Sequence, residues 1–248
     1  ETFNVASSGL ISGSGSTQIT INPSKNFEAL SEYYVKIDSN AFDDSFGNSF
    51  AGINDKTTLN FKTGTHVFGN KTSLETAVDE WINDQDTAID TYGDINTWDV
   101  SAITDFSYLF KGDETFNSDI SNWDVSSGTN FSRMFHRSSA FNQDISSWDV
   151  SNGTDFSYMF NGAENFNQDI GKWDVGSGTD FSYMLSNVYD YFRTTYLFNQ
   201  DISNWDVSSG RDFSALFNTA SSFNQDISNW DVSSGIDFHE MFWRATDF

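Results

Sequence analysis

The sequence contains no cysteine, one proline and only 12 Lys and Arg among 248 residues. The absence of cysteine excludes a disulfide framework, a thiol nucleophile and a cysteine-ligated zinc site. With 36 Asp and Glu the formal net charge is −24. A chain this acidic repels phosphate backbones, so we expect no nucleic-acid partner. No apolar run reaches the roughly 18 residues of a membrane-spanning helix, so we also expect no transmembrane segment.

Aromatic residues are abundant, at 17% of the chain. They can bury enough surface to favour a folded protein over a disordered one, despite the high charge. The chain begins at Glu1 without a signal segment, which is typical of a mature or trimmed product, and the lack of cysteine is compatible with export.

A 25-residue repeat organises the second part of the chain. Trp-Asp-Val recurs at Trp98, Trp123, Trp148, Trp173, Trp205 and Trp230, with spacings of 25, 25, 25, 32 and 25 residues. The long spacing marks an insertion at residues 186–197. These six copies, numbered 1 to 6 by their Trp, predict stacked units that bury a shared core.

Copy 3 shows the expected local structure. Trp148 and Val150 alternate with polar Asp149, which is the period of a half-buried strand. After a turn, the apolar residues of 156–160 follow the i, i+3, i+4 spacing of a short helix. Each copy is therefore predicted to be a strand, a turn, a short helix and a return loop.

The pattern FNQDISNWDVSSG followed by DFSYMF resembles the repeat of BspA-like leucine-rich-repeat surface proteins of bacteria, over roughly residues 74–248. The resemblance implies a repeat solenoid of leucine-rich-repeat type, with short parallel strands plus short helices. It also implies a non-catalytic protein of the bacterial cell surface that adheres to a host or matrix protein or to a glycan. One departure is systematic: glycine replaces the family's valine, and phenylalanine replaces its methionine three residues later, which we interpret as compensated repacking.

Residues 64–92 are expected to form a linker and an N-terminal capping helix, and residues 93–248 the six repeats. Thr72-Ser-Leu-Glu75 fits a capping box, and the apolar spacing predicts an amphipathic helix through about Asn83. The other end shows no such cap. Three alternatives stay open for the C-terminal end: Trp243 and Phe248 close it, a partner covers it, or the natural chain continues.

Residues 1–63 differ in composition, with alternating segments at 17–22, 33–38 and 57–62 that predict strands. They resemble the C-terminal half of bacterial SbsA-type immunoglobulin-like domains, which implies an all-β Ig-like half-sandwich. Three explanations stay open: trimming, strands supplied by another chain, or closure of the fragment on itself. Completion by a neighbour would be β-strand complementation, and it would build a head-to-tail homo-oligomer or filament from copies of this chain.

One aspartate per copy lies between the Trp and the Val and is expected to face outward. This outer Asp column comprises Asp99, Asp124, Asp149, Asp174, Asp206 and Asp231. Parallel stacking would space its carboxylates about 4.8 Å apart. The column is either a solvated face bonded to nearby amides and hydroxyls or a binding surface, for which Ca²⁺ is the natural ion. No cofactor is required by the sequence.

A second Asp column comprises Asp119, Asp144, Asp169, Asp201 and Asp226. It is expected to satisfy turn amides, and so is the asparagine two residues before each of these aspartates. The pair Asp43 and Asp44 is a further candidate for Ca²⁺, with a plain turn as the alternative.

The insertion contains Tyr189, Tyr191, Arg193 and Tyr196, which predict a contact loop or a structural patch. Catalysis has little support, and we expect no enzyme. The three histidines, His66, His136 and His239, form no periodic ligand set, and known nucleophile, phosphate-loop and zinc motifs are absent.

Overall fold

The computed structural model describes residues 11–12, 20–21, 32–37, 51–53, 60–62, 65–187 and 196–248. The chain divides into two compact units, Glu1–Thr65 and His66–Phe248.

The described residues of the first unit include four very short strands. β1 (Ile11–Ser12) pairs antiparallel with β2 (Thr20–Ile21), and β3 (Glu32–Tyr34) pairs antiparallel with β4 (Asn60–Lys62). An isolated bridge joins Ile37 and Ile53. The described residues thus form two separate two-stranded pairs, and the expected Ig-like half-sandwich is wrong. Pairs of two or three residues are too short to present the two packed inner faces that define a sandwich.

The second unit begins with two helices. α1 (Lys71–Asn83) is capped by Asn70, whose side chain accepts a hydrogen bond from the Ser73 amide, so the cap lies two residues before the expected Thr72. α2 (Gln85–Tyr92) follows with Asp84 as its cap, and the sequence pattern did not anticipate it. A 3₁₀ helix covers Ile95–Thr97.

The six copies stack in register. Single-residue parallel bridges join corresponding positions of successive copies: Asp105 to Asn130, Asn130 to Asp155, Asp155 to Asp180, Asp180 to Asp212, and Asp212 to Asp237. Among described residues 98–248, however, the backbone forms turns and isolated bridges, with no helix and no continuous strand. The expected leucine-rich-repeat solenoid of short strands and short helices is therefore wrong.

Backbone hydrogen bonding explains why the apolar run in each copy is not helical. In copy 3 the amides of Phe156, Tyr158 and Phe160 donate to carbonyls of the next copy at 2.8–3.0 Å, whereas a helix would direct them four residues back. Tyr158 also has a left-handed φ of 56°, which a right-handed helix cannot contain. Phe156, Met159 and Phe160 are buried and Tyr158 is half-buried, so the i, i+3, i+4 pattern arises here without a helix.

The core is a set of aromatic columns. The Trp side chains of copies 1 to 5 are 2–4% exposed, so the expectation that they face inward is confirmed. Each Trp of copies 2 to 6 donates its indole N–H to the Ile carbonyl of the preceding copy, as Trp173 does to Ile145 at 3.1 Å. Phenyl rings of successive copies stack, as in the row Phe131, Phe156 and Phe181 with centroids 5.6 Å apart.

The glycine that precedes this phenylalanine by three residues makes room for its ring. A Cβ atom at Gly153 would lie 2.4 Å from Cζ of Phe156 and 2.9 Å from the Val150 carbonyl oxygen. The same clash recurs at Gly128, Gly178, Gly210 and Gly235. The expected compensation between the two positions is therefore present in the packing.

Candidate functional site

The outer Asp column lies on the surface, with five members exposed and Asp99 half-buried. Each carboxylate accepts a hydrogen bond from the backbone amide two residues on, at 3.0–3.1 Å, which closes an Asx turn. At Asp149 the side chain and then the amide of Ser151 lower the pKa of the carboxyl. One oxygen of each outer aspartate therefore shapes its own turn, and the other is available to solvent or a ligand.

The second Asp column is exposed and is built in the same way. Its carboxylates accept the amides of Ser121, Ser146, Gly171, Ser203 and Ser228 at 2.9–3.0 Å. The neighbouring asparagines form a ladder between copies. Oδ1 of Asn142, for example, accepts from the amide of Asn167 at 3.0 Å and from Nε2 of Gln168 at 2.9 Å. The expected role in satisfying turn amides is visible for both sets.

A third column was not predicted from the sequence. It comprises Asp105, Asn130, Asp155, Asp180, Asp212 and Asp237, and it forms Asx turns as well. Burial raises the pKa of Asp180, hydrogen bonds from Ser182 oppose this, and the flanking charges of Asp155 and Asp212 raise the pKa further. The triplet Asp-Phe-Ser, which occupies this position in copies 1, 3, 4 and 5, was the available signal.

The residues of the expected contact loop are only partly described. Tyr189, Tyr191 and Arg193 lie outside the described residues, as do Asp43 and Asp44. Tyr196 is fully buried, and its hydroxyl donates to the Phe160 carbonyl at 3.2 Å. Tyr196 thus fills the interior where the insertion rejoins the stack, and it cannot contact a partner from there.

The described residues show no metal centre. Within them, no three His, Cys, Asp or Glu side chains come together as a set of metal ligands. The histidines also differ in surroundings: His66 packs on Phe68 and Tyr92, His136 is buried, and His239 is exposed beside Glu240. No helix in the described part of the chain has the length and apolar character needed to cross a bilayer.

One further surface was not anticipated. We define the tyrosine–arginine strip as Tyr108, Arg133, Tyr158 and Tyr183, the third residue after the third-column position in copies 1 to 4. The Arg133 guanidinium lies 5.6 Å from the Tyr108 ring centroid and 4.1 Å from that of Tyr158. The rings of Tyr158 and Tyr183 stack at 4.4 Å and 8°. Nζ of Lys111 lies 5.0 Å from the Tyr108 ring centroid, so the strip joins aromatic rings with positive charge.

Comparison with known proteins gives one family. A family described as "Mycoplasma protein of unknown function, DUF285" matches residues 85–193 and 186–248, which is more than half of the chain and spans all six copies. The chain belongs to this family. No curated protein and no solved structure matches it. Membership in DUF285 therefore relates the stacked copies to other proteins but indicates no activity.

Proposed function

We propose that this DUF285 protein is an exported protein of the bacterial cell surface that binds other molecules through its stacked copies, without catalysing a reaction. The observation that carries the proposal is the in-register stacking. Because the outer and second Asp positions recur in successive layers that are joined by backbone hydrogen bonds, the stacked copies present columns of like carboxylates. Such surfaces suit extended binding partners.

Two further points support a binding role. In the outer and second Asp columns, one oxygen of each carboxylate accepts a hydrogen bond from its own turn. The turn thus fixes the position of the carboxylate, which keeps further acceptor sites for a ligand. The resemblance of the repeat to BspA-like surface proteins provides the link to the cell surface and to adhesion. The partner is a host or matrix protein, or a glycan.

Two experiments test the proposal. Antibodies against the chain should label intact cells of the source organism as strongly as permeabilised cells, and labelling only after permeabilisation would contradict export. The purified chain should bind at least one member of a panel of matrix proteins and glycans. Replacing Asp124, Asp149 and Asp174 by asparagine preserves the Asx acceptor and removes three charges, so it tests whether the outer Asp column takes part.

A second candidate is a structural subunit of a self-assembling filament. It is favoured by copy 6, where Phe238 and Phe248 are 40% and 51% exposed although their counterparts Phe213 and Phe223 are fully buried. A further repeat unit stacked on copy 6, such as one from another molecule, would cover these rings. Assembly by β-strand complementation of an Ig-like module is not proposed, because the expected Ig-like half-sandwich is wrong. A monodisperse monomer at high concentration would exclude assembly of the chain alone.

A further inference from the structure

The tyrosine–arginine strip carries positive charge on a chain of net charge −24. Lys111 is exposed and Arg133 is half-buried. Among the described residues, neither side chain has a carboxylate oxygen within 4.0 Å. The lysine that forms ion pairs within those residues is Lys71. Both cations lie over tyrosine rings instead. In so acidic a protein, cations held by aromatic rings are left able to attract an external anion.

A third cation is close by. The buried imidazole of His136 has its pKa lowered to about 4, by burial first and then by the charges of Arg133, Lys111 and Arg137. His136 is therefore neutral at physiological pH, and the three cations around it come from two neighbouring copies. The positive region is small, spanning about two layers of the stack.

The backbone at the strip does not require these side chains. Its four residues have left-handed φ values of 66°, 59°, 56° and 56°, a conformation that glycine and asparagine adopt most readily. The same position carries Ala215 in copy 5 and Glu240 in copy 6, again with left-handed φ. The backbone therefore does not explain the large aromatic and cationic side chains at this position, and we attribute them to the contacts that these side chains make.

The chemistry of Arg133 suits a carboxylate. Its guanidinium carbon lies 4.1 Å from the Tyr158 ring centroid and 5.6 Å from that of Tyr108, and guanidinium N–H groups bind carboxylates in a bidentate manner. Tyr108, at the end of the strip, is 48% exposed and offers a ring and a hydroxyl beside Lys111. An aromatic ring next to paired cations matches a sugar ring that bears a carboxylate.

We propose that the tyrosine–arginine strip, together with Lys111, binds a carboxylated polysaccharide, a sugar chain that contains uronic acid residues. This inference rests on the proposed binding function and specifies its ligand class. The charge of the whole chain disfavours densely charged polyanions such as nucleic acids. A polymer with one carboxylate per two sugars meets much less repulsion.

The test is a titration of the full chain with an oligosaccharide of alternating uronic acid and N-acetylated sugar, followed by calorimetry, with a neutral N-acetylated oligosaccharide as the ligand control. The variant Lys111→Gln/Arg133→Gln should weaken binding about tenfold or more, since it removes two charge-assisted contacts. The matched control Lys172→Gln/Arg211→Gln removes the same charge from exposed positions elsewhere on the stack and should change binding less than about twofold. Lys111→Gln alone, at an exposed site, should weaken binding even if the double variant folds poorly.

The results separate this inference from the function on which it rests. Binding of the uronic acid ligand that is lost in the strip variant and kept in the control supports the inference. Equal binding of the neutral ligand, equal loss in both double variants, or no binding of the uronic acid ligand overturns it. Dimerisation of the unaltered chain that the strip variant abolishes would also overturn it, in favour of an acidic protein partner. If another member of the panel binds while the uronic acid ligand does not, the proposed function stands alone; if nothing binds, both fail.

Discussion

Replacing Gly153 by alanine would place a methyl group inside the buried phenylalanine row. The new Cβ would lie 2.4 Å from Cζ of Phe156 and 2.9 Å from the Val150 carbonyl oxygen. The Phe156 ring cannot easily move away, because it is stacked between Phe131 and Phe181 with both centroids 5.6 Å distant. Overpacking of this kind costs about 1–3 kcal/mol, and the closeness of the contact places our expectation near 3 kcal/mol.

Urea denaturation followed by tryptophan fluorescence measures this cost. Gly69→Ala is the matched control, because a Cβ there would have nothing within 4 Å, and it should change the free energy of unfolding by less than about 1 kcal/mol. In a background of Phe156→Leu the contact with the ring is removed while the contact with the Val150 carbonyl oxygen remains, so Gly153→Ala should then cost less. A Gly153→Ala variant as stable as the unaltered chain, or an equal cost in both backgrounds, would refute the reasoning.

Three other perturbations have defined outcomes. Trp173→Phe removes the buried indole donor of the Ile145 carbonyl, so it should lower the free energy of unfolding by about 1–3 kcal/mol, whereas Trp243→Phe, at a partly exposed ring, should cost less; similar urea midpoints for the two variants would contradict this. Burial and then the charge of Asp79 raise the pKa of Asp113 to about 6 from 3.8, so the folded chain binds this proton more tightly and stability should fall as the pH rises between these values. Asp113→Asn should therefore raise the melting temperature at pH 7 and have little effect near pH 4, and an equal effect at both values would argue against burial as the cause. If Ca²⁺ binds to the outer Asp column, the melting temperature should be higher in millimolar calcium than in EDTA, and equal melting in both would exclude the calcium site.

In-register stacking could be predicted because the 25-residue period is visible in the sequence. Copies related by 25 residues bring like residues together, so inward Trp and Phe and the asparagine ladder follow from the spacing alone. The local structure within a copy could not be read in this way. The spacing of Phe156, Met159 and Phe160 is the same for a helical face as for a chain whose alternate amides bond to the next layer.

The left-handed backbone conformations that exclude a helix in each copy cannot be recognised from the residue types at those positions. Tyr158 and Arg133 are left-handed although neither is a residue that usually marks such a position. The Asp–apolar–Ser triplets were visible, but an aspartate next to a strand or helix has several common roles, and only coordinates show three Asx turns per copy. The tyrosine–arginine strip was missed for the same reason, since its members come together only through stacking.

The register of the stack can be measured directly, because the chain has no cysteine of its own. The amide of Thr154 donates to the carbonyl of Thr129 at 2.8 Å, and both side chains are exposed. Their Cα atoms are therefore about 5 Å apart, within the range of a disulfide, whereas Thr129 and Thr179 are two layers and about 10 Å apart. We predict that Thr129→Cys/Thr154→Cys forms an intramolecular disulfide on mild oxidation and that Thr129→Cys/Thr179→Cys does not. Failure of the first pair, or equal cross-linking of the second, would contradict the stacked arrangement.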